Sequence, residues 1–246
     1  MCVKNKLYAV GIGPGNERNM TRACRDALQD ADIIIGYATY TALLTPLYPE
    51  KTFLSSGMRQ ERARCEEALR LAASGKRVAV VSGGDAGVYG MAGLLFELAR
   101  AYADIEIAII PGVTAANSGA ALLGAPLGHD FAVISLSDLL TPWEIIARRL
   151  TAAAQADFAI CLYNPMSHNR RDKLQKACDI LLRHKPGGTL CGIAKNIGRE
   201  GEETRLCSLV ELRDTRVDMT STVFIGSADT IEMDGNMVTP RGYRHV

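Results

Sequence analysis

The residues best suited to chemistry form a short glycine-rich segment, 82–90, with the sequence Ser-Gly-Gly-Asp-Ala-Gly-Val-Tyr-Gly. It follows the apolar run 78–81 and precedes the helix-like stretch 91–100, which predicts a loop at the end of a strand. Glycines such as Gly84 let the backbone adopt positive φ and approach a ligand closely, and the carboxylate of Asp85 can accept hydrogen bonds. We interpret this central loop as part of a small-molecule pocket, while an ordinary strand-to-helix turn has a similar composition.

Two more glycine-containing segments follow apolar runs in the first half of the chain. Residues 11–15 read Gly-Ile-Gly-Pro-Gly after a run that begins at Leu7, and residues 111–114 read Pro-Gly-Val-Thr after the run 105–110. In an open parallel sheet such loops gather at the carboxyl ends of the strands, where ligands bind. The sequence therefore predicts that both segments lie beside the central loop.

The first of these segments invites comparison with the dinucleotide-binding pattern Gly-x-Gly-x-x-Gly. That pattern would require glycine where the chain has Asn16, and Pro14 lacks an amide that a pyrophosphate would use. These two residues disfavour a nicotinamide or flavin dinucleotide site.

The overall composition argues against several other classes of function. The chain has 246 residues, with 28 Lys and Arg against 27 Asp and Glu, so it lacks the basic field that holds nucleic acid by its phosphates. Its seven cysteines are scattered without a Cys-x-x-Cys pair, which indicates reduced, mostly buried thiols and no zinc site. No apolar run reaches the ~18 residues that span a membrane, and no signal-peptide core follows the N-terminus. We expect a soluble, cytoplasmic protein that binds neither nucleic acid nor membrane.

The elements that must position these loops alternate between strands and helices, as is typical of α/β proteins. A cluster of turn residues at 124–130 predicts a boundary between two α/β domains, 1–125 and 126–246. The predicted strands are 7–12, 33–35, 52–54, 78–81, 105–110, 131–136, 158–163, 190–195, 202–208, 222–225 and 237–241. The predicted helices are 21–31, a short one ending before Pro46, 60–74, 91–100, 115–123, 143–153 and 172–182.

Charged residues beside these elements offer two further interpretations. His129 lies next to Asp130 at the predicted boundary, where it is either a proton-transfer residue or a structural hinge histidine. The start of the helix at 60–74 carries a basic face with Arg59, Arg62 and Arg64. A solvated helix start explains that face, and arginines at the mouth of a cleft would also suit a polyanionic ligand.

Four motifs, in this order, resemble the class III, tetrapyrrole-type methyltransferases that use S-adenosylmethionine. They are residues 11–15, Gly83-Gly84-Asp85, residues 111–114 and Tyr163-Asn164-Pro165, and the likeness covers nearly the whole chain. One departure is Ala86, where many members of the family have proline.

A particular branch of that family has further motifs in common with this chain. The run 135–143, the residues 129–131 and the ending 239–243 resemble the branch that methylates C17 of precorrin-3B or cobalt-precorrin-3 in cobalamin synthesis and contracts the macrocycle. The sequence does not show whether the substrate is metal-free or holds cobalt.

The resemblance implies two α/β domains of the tetrapyrrole methylase type, with S-adenosylmethionine in the cleft between them, and a homodimer. The cofactor contacts it implies are Gly84, Asp85, Val88, Thr114, Ala115, Tyr163, Asn164 and Ala194. The expected substrate contacts, which include cations for the carboxylate arms, are Gly13, Pro14, Gly15, Arg59, His168, Arg170 and Arg171. Ring contraction asks for a general base, for which His129 with Asp130 is the first candidate and His168 the second.

Two rival interpretations remain open. A relative of the same fold would methylate another tetrapyrrole carbon, an RNA ribose or a modified protein side chain, although the near-neutral charge disfavours RNA. A tetrapyrrole carrier without turnover would use the glycine loops to hold only the pigment. Labelled S-adenosylmethionine separates these, because a carrier transfers no methyl group.

Overall fold

A computed structural model describes residues 5–102, 104–166 and 172–243. The chain divides into two compact units, Met1–Thr114 and Ala115–Val246. The division comes earlier than the predicted boundary at 125–126, because the helix at 115–123 packs on strands of the second unit. The three glycine-containing loops all belong to the first unit.

The first unit contains a five-stranded parallel sheet. Its strands are β1 (Asn5–Gly11), β2 (Ile33–Tyr37), β3 (Thr52–Ser56), β4 (Val78–Ser82) and β5 (Ile105–Ile110), in the order β3-β2-β4-β1-β5. Every residue of β4 is buried, as expected for a central parallel strand covered on both faces. All five strands predicted for this half are confirmed, and β1 lies between β4 and β5.

Four α-helices and a short 3-10 helix (Glu17–Asn19) complete the first unit. The α-helices are α1 (Arg22–Asp30), α2 (Ala38–Leu44), α3 (Glu61–Ala73) and α4 (Ala92–Ala99). Successive residues of β1 face opposite sides of the sheet, so Val10 joins Leu28 of α1 in one apolar cluster, and Leu7 joins Leu69 of α3 in another. Two buried layers therefore hold the sheet, and with it the positions of the loops at its carboxyl edge.

The basic face predicted at the start of α3 is only partly solvated. Arg64 is buried, with 6% of its surface exposed; its Nε donates to Ser56 Oγ at 2.7 Å and its Nη2 to the Gly57 carbonyl at 3.0 Å. The solvated interpretation is therefore wrong for Arg64, which ties α3 to the segment after β3. Arg59 is exposed in that segment, with a φ of 63° that non-glycine residues seldom adopt.

A surface ion-pair network joins the amino ends of β2 and β4. Arg77 contacts Asp32 at 2.6 Å and Asp30 at 2.8 Å. Hydrogen bonds from the guanidinium and the backbone amide of Arg77 lower the pKa of Asp32 to about 2. This carboxyl therefore stays ionised in the folded protein at a pH where it is protonated in the unfolded chain, whose pKa is about 3.9.

This network predicts a specific acid sensitivity. Because the folded-state pKa is depressed, the stabilisation is present above pH about 4 and is lost as the pH falls towards about 2. We expect the urea midpoint of the wild type to fall between pH 5 and pH 3, and that of Arg77→Met to start lower and fall less. The effect is modest since both side chains are well exposed. Equal falls in both proteins would contradict this role of Arg77.

The second unit contains a mixed five-stranded sheet and a small three-stranded sheet. The larger has β7 (Phe131–Ser135), β8 (Ala159–Tyr163), β9 (Leu190–Lys195), β10 (Glu203–Ser208) and β11 (Ser221–Ile225), in the order β10-β9-β11-β8-β7, with only β7 and β8 parallel. The smaller has β6 (Gly124–Ala125), β12 (Ile231–Met233) and β13 (Asn236–Val238), in the order β12-β13-β6. The parallel pair is the part of this unit that resembles the first sheet.

The helices of the second unit are α5 (Ala115–Leu123), α6 (Trp143–Gln155), α7 (Lys173–Leu181) and α8 (Leu209–Asp214). A Cβ at Gly119 of α5 would lie 2.9 Å from the ring of Phe224 on β11, so glycine there lets the helix approach the sheet. The short helix α8 was not predicted, although it has a sequence signal. Ser208 and Glu211 form a capping box, in which each side chain accepts from the backbone amide of the other residue.

Six cysteines lie within the described residues, and all six are buried free thiols, as predicted. Burial raises the pKa of both Cys24 and Cys65 to about 11, so these thiols stay protonated near neutral pH. Over the same part of the chain, no three His, Cys, Asp or Glu side chains group in a way that could hold a metal ion. None of the described helices is long and apolar enough to cross a bilayer.

Candidate functional site

Two of the three predicted loops are joined by paired backbone hydrogen bonds. The Gly13 amide donates to the Gly84 carbonyl at 3.0 Å, and the Gly84 amide donates to the Gly13 carbonyl at 2.7 Å. Both glycines have positive φ, 75° and 70°, which other residues adopt only with strain. The loops after β1 and β4 therefore form one surface, as the sequence predicted.

The third loop, after β5, approaches the first two at backbone contact distance. A Cβ on Gly112 would lie 2.1 Å from the Gly84 carbonyl oxygen, and one on Gly11 would lie 2.7 Å from the same atom. Neither glycine has positive φ. Because Gly11 and Gly112 have no side chain, the loops can approach one another closely.

A single carboxylate links the loops after β4 and β5. Asp85 Oδ1 accepts from the amides of Gly87 and Val88 at 2.7 and 3.1 Å, while Oδ2 accepts from the amide of Gly112 at 2.9 Å. The first two bonds close a turn within the central loop, and the third reaches a loop 27 residues along the chain.

Contacts with Tyr40 and Met91 also hold the central loop in place. A Cβ on Gly83 would lie 2.6 Å from the ring of Tyr40, and the Met91 amide donates to Ser82 Oγ at 3.2 Å. Ala86, where many members of the resembling family have proline, is fully buried among apolar side chains of the first unit. Its burial holds the loop without the proline ring.

The predicted ligand contacts of the first unit differ in accessibility. Gly13 and Pro14 are buried, whereas Gly15 is partly exposed. The predicted cofactor contacts Gly84, Asp85, Val88 and Thr114 are all partly exposed. A small molecule can therefore reach the surface of the loops after β4 and β5.

In the second unit, the carboxyl end of β8 carries two of the other predicted contacts, Tyr163 and Asn164. The side-chain amide of Asn164, an exposed residue with φ 52°, donates to Ser135 Oγ at 3.0 Å. The Ala116 amide donates to the phenol oxygen of Tyr163 at 2.6 Å, which places that ring at the start of α5. The neighbouring Ala115 is partly exposed, whereas Ala194 on β9 has no exposed surface.

The run 135–143 is held by a residue that sequence reasoning missed. Lys173 Nζ lies 2.6 Å from Asp138 Oδ2 and 4.7 Å from the centroid of the Trp143 ring. Beyond Asp138 the loop exposes two apolar side chains, with Leu139 57% and Leu140 98% exposed. Lys173 is the first residue of α7, where the positive end of the helix dipole disfavours a cation. A lysine in that position is the sequence signal that its side chain has a specific partner.

The histidine proposed for proton transfer lies at the surface of the second unit. His129 and Asp130 are both exposed, and His129 Nε2 is 3.0 Å from the carbonyl oxygen of Pro240. A carbonyl only accepts hydrogen bonds, so Nε2 is the donor, and in the neutral imidazole the lone pair is then on Nδ1. The other predicted residues His168, Arg170 and Arg171 lie outside the described residues.

Comparison with known proteins gives a consistent result. The model of the family "Tetrapyrrole (Corrin/Porphyrin) Methylases" matches residues 6–213. A "Probable cobalt-factor III C(17)-methyltransferase" of Salmonella typhimurium is 48% identical over 238 residues, which are 96% of this chain and 99% of that protein. A "Precorrin-3B C(17)-methyltransferase" of Sinorhizobium sp is 42% identical over 246 residues, covering 96% of each chain. In a solved structure, "the methyltransferase CobJ", the fold is the same, with a TM-score of 0.88, 38% identity and coverage of 96% of this chain and 98% of that one.

Proposed function

This chain belongs to the tetrapyrrole (corrin/porphyrin) methylase family, and we propose that it transfers a methyl group from S-adenosylmethionine to C17 of precorrin-3B or of its cobalt-containing counterpart in cobalamin synthesis. Contraction of the macrocycle accompanies this methylation in the branch that the chain resembles. The meeting of three glycine loops at the carboxyl ends of β1, β4 and β5 carries the proposal, because it supplies a ligand surface in a chain so similar to relatives named for that reaction.

The residues present fit S-adenosylmethionine by their chemistry and their exposure. When bound, this cofactor supplies a methyl group activated by a sulfonium centre. The loops of the first unit and the strand ends of the second offer backbone groups, hydroxyls and amides, which suit a nucleoside and an amino acid. The accessible members are Gly84, Asp85, Val88 and Thr114 in the first unit, and Ala115, Tyr163 and Asn164 in the second. Ala194 is fully buried and meets a ligand only if its neighbours move.

Alignment is the main task that this surface performs. Displacement of a neutral leaving group needs little acid or base assistance, so positioned loops account for most of the required catalysis. The hydrogen bonds between Gly13 and Gly84, and from Gly112 to Asp85, keep the loops of the first unit in one arrangement. We therefore expect these loops to bind the cofactor and orient it.

Recognition of the substrate requires cations for its acetate and propionate arms. Arg59 is exposed on the segment after β3 and is available for this role. Arg170, Arg171 and His168 remain part of the proposal, as do Gly13, Pro14 and Gly15, of which only Gly15 presents appreciable surface. The homodimer that the resemblance implies also remains a prediction.

Methyl transfer to a macrocycle tests the proposal directly. We expect the purified protein, incubated with methyl-labelled S-adenosylmethionine and either precorrin-3B or its cobalt counterpart, to produce a labelled macrocycle with the mass gain of one methyl group. The product should show the absorption change of ring contraction, and NMR should place the label on C17. Pigment binding without transfer would identify a carrier instead, and label on another carbon would identify a different methylase of this fold.

A further inference from the structure

We propose that Asp85 is a positioning residue, whose carboxylate holds together the loops that follow β4 and β5 and acts on the cofactor through them. The proposal rests on the proposed function, since it concerns binding of S-adenosylmethionine. It differs from the expectation that the Asp85 side chain itself contacts that molecule.

The hydrogen-bonding capacity of the carboxylate is largely used within the protein. A carboxylate has about four acceptor positions. Three of them are filled by the amides of Gly87, Val88 and Gly112, at distances between 2.7 and 3.1 Å. Hydrogen bonds to an ionised acceptor are the strong kind, so these three bonds hold the carboxylate in place and leave it about one acceptor position for a ligand.

The two segments that Asp85 joins carry the predicted cofactor contacts. Val88 donates its own amide to Oδ1, and Thr114 lies two residues beyond Gly112, whose amide donates to Oδ2. At the same place the missing side chain of Gly112 lets its backbone lie against the Gly84 carbonyl. The carboxylate is thus the side chain that fixes the spacing between these two contacts.

The isosteric change Asp85→Asn removes the bond from Gly112 and can keep the bonds from Gly87 and Val88. The carboxamide has one oxygen, which can accept from Gly87 and Val88, but its NH₂ group then faces the Gly112 amide, so that two donors meet. We expect calorimetry to show affinity for S-adenosylmethionine reduced by about tenfold or more, because a hydrogen bond to a charged group is lost. In ligand-free protein, the amide proton of Gly112 should shift in the NMR spectrum and exchange faster with solvent.

The matched control is Asp26→Asn, the same change of charge on the exposed face of α1, where the Arg22 guanidinium is 3.9 Å from the carboxylate. It should leave both readouts unchanged. If Asp85→Asn does not fold, Asp85→Ser serves instead, since a hydroxyl closes the local turn but is too short to reach Gly112.

Cofactor analogues distinguish positioning from direct contact. S-adenosylhomocysteine analogues that lack the ammonium group, or one ribose hydroxyl, are bound to wild type and to Asp85→Asn. If Asp85 is a positioning residue, Asp85→Asn should weaken the binding of every analogue by the same factor. If Asp85 contacts the cofactor directly, the weakening should disappear for the analogue that lacks the contacted group.

Two outcomes would overturn the proposal in different ways. The positioning role alone would be refuted if the Gly112 amide proton of Asp85→Asn kept its chemical shift and exchange rate. It would also be refuted if the loss of affinity disappeared with one analogue. Wild-type protein without affinity for S-adenosylmethionine would refute the proposed function and, with it, any role of Asp85 towards that molecule.

Discussion

Replacing Gly112 with alanine should abolish binding of S-adenosylmethionine and destabilise the protein by about 3 kcal/mol, the upper part of the range for overpacked sites. The added Cβ would lie 2.1 Å from the Gly84 carbonyl oxygen and 2.6 Å from the backbone of Gly11. All of these are main-chain atoms, so no side chain can rotate away. The loops after β1, β4 and β5 would have to separate, and the proposed binding surface would be lost.

The matched control for this experiment is Gly93→Ala in α4 of the same unit. A Cβ there meets nothing within 4 Å, and alanine is favoured over glycine inside a helix by roughly 0.5–1 kcal/mol. Urea unfolding should therefore show a small gain for Gly93→Ala and a loss for Gly112→Ala, and calorimetry should show unchanged cofactor binding only for the former. Affinity within a few-fold of wild type in folded Gly112→Ala would place the cofactor site elsewhere.

Much of the sheet of the first unit could be predicted because its central strands contain short apolar runs, such as residues 7–10 of β1 and 78–81 of β4. β5 has the predicted bounds, 105–110, because its isoleucine-rich run ends at Pro111; in the second unit α5 likewise has the predicted bounds, 115–123. A strand buried on both faces leaves a continuous apolar run, and a glycine or proline marks its end. Short elements such as β6 and β12 leave no such pattern, because two or three residues show no periodicity.

The boundary between the units illustrates what a sequence pattern does not contain. Turn residues at 124–130 mark a change of direction, and the structure does turn there into β6 and β7. Which sheet a helix packs on depends on contacts made far along the chain, such as the close approach of Gly119 to Phe224. For that reason α5 belongs to the second unit although it precedes the turn cluster.

For several residues of the candidate site, the structure adds physical reasons that the sequence did not contain. Gly112 was expected in a ligand loop, and the structure adds that it needs to be glycine because the Gly84 carbonyl lies against it. Asp85 was expected to accept hydrogen bonds, but its donor on the loop after β5 is 27 residues away. Arg64 was expected on a basic surface and is buried. Each of these depends on tertiary packing, which one-dimensional spacing does not encode.

Replacing His129 with alanine should separate methylation from ring contraction. Methyl transfer depends on alignment, whereas contraction requires loss of a proton from the oxygen function at C20 of the macrocycle, so a base that serves only the second step can be removed alone. The bond from His129 Nε2 to the Pro240 carbonyl, at 3.0 Å, orients the ring, and in the neutral imidazole Nδ1 is the proton acceptor. We expect the variant to consume S-adenosylmethionine and accumulate a methylated, uncontracted macrocycle, with contraction slowed by about 10²-fold or more.

Mass spectrometry and absorption spectroscopy together measure this outcome, because methylation changes the mass and contraction changes the spectrum. His184→Ala, which removes another exposed histidine of the second unit, should leave both rates unchanged, and Asp130→Asn shows whether the adjacent carboxylate contributes. Formation of contracted product by His129→Ala at the wild-type rate would reduce the role of His129 to holding the chain at Pro240. The proton would then pass to His168 or to an acetate arm of the substrate itself, since either can accept it without the imidazole of His129.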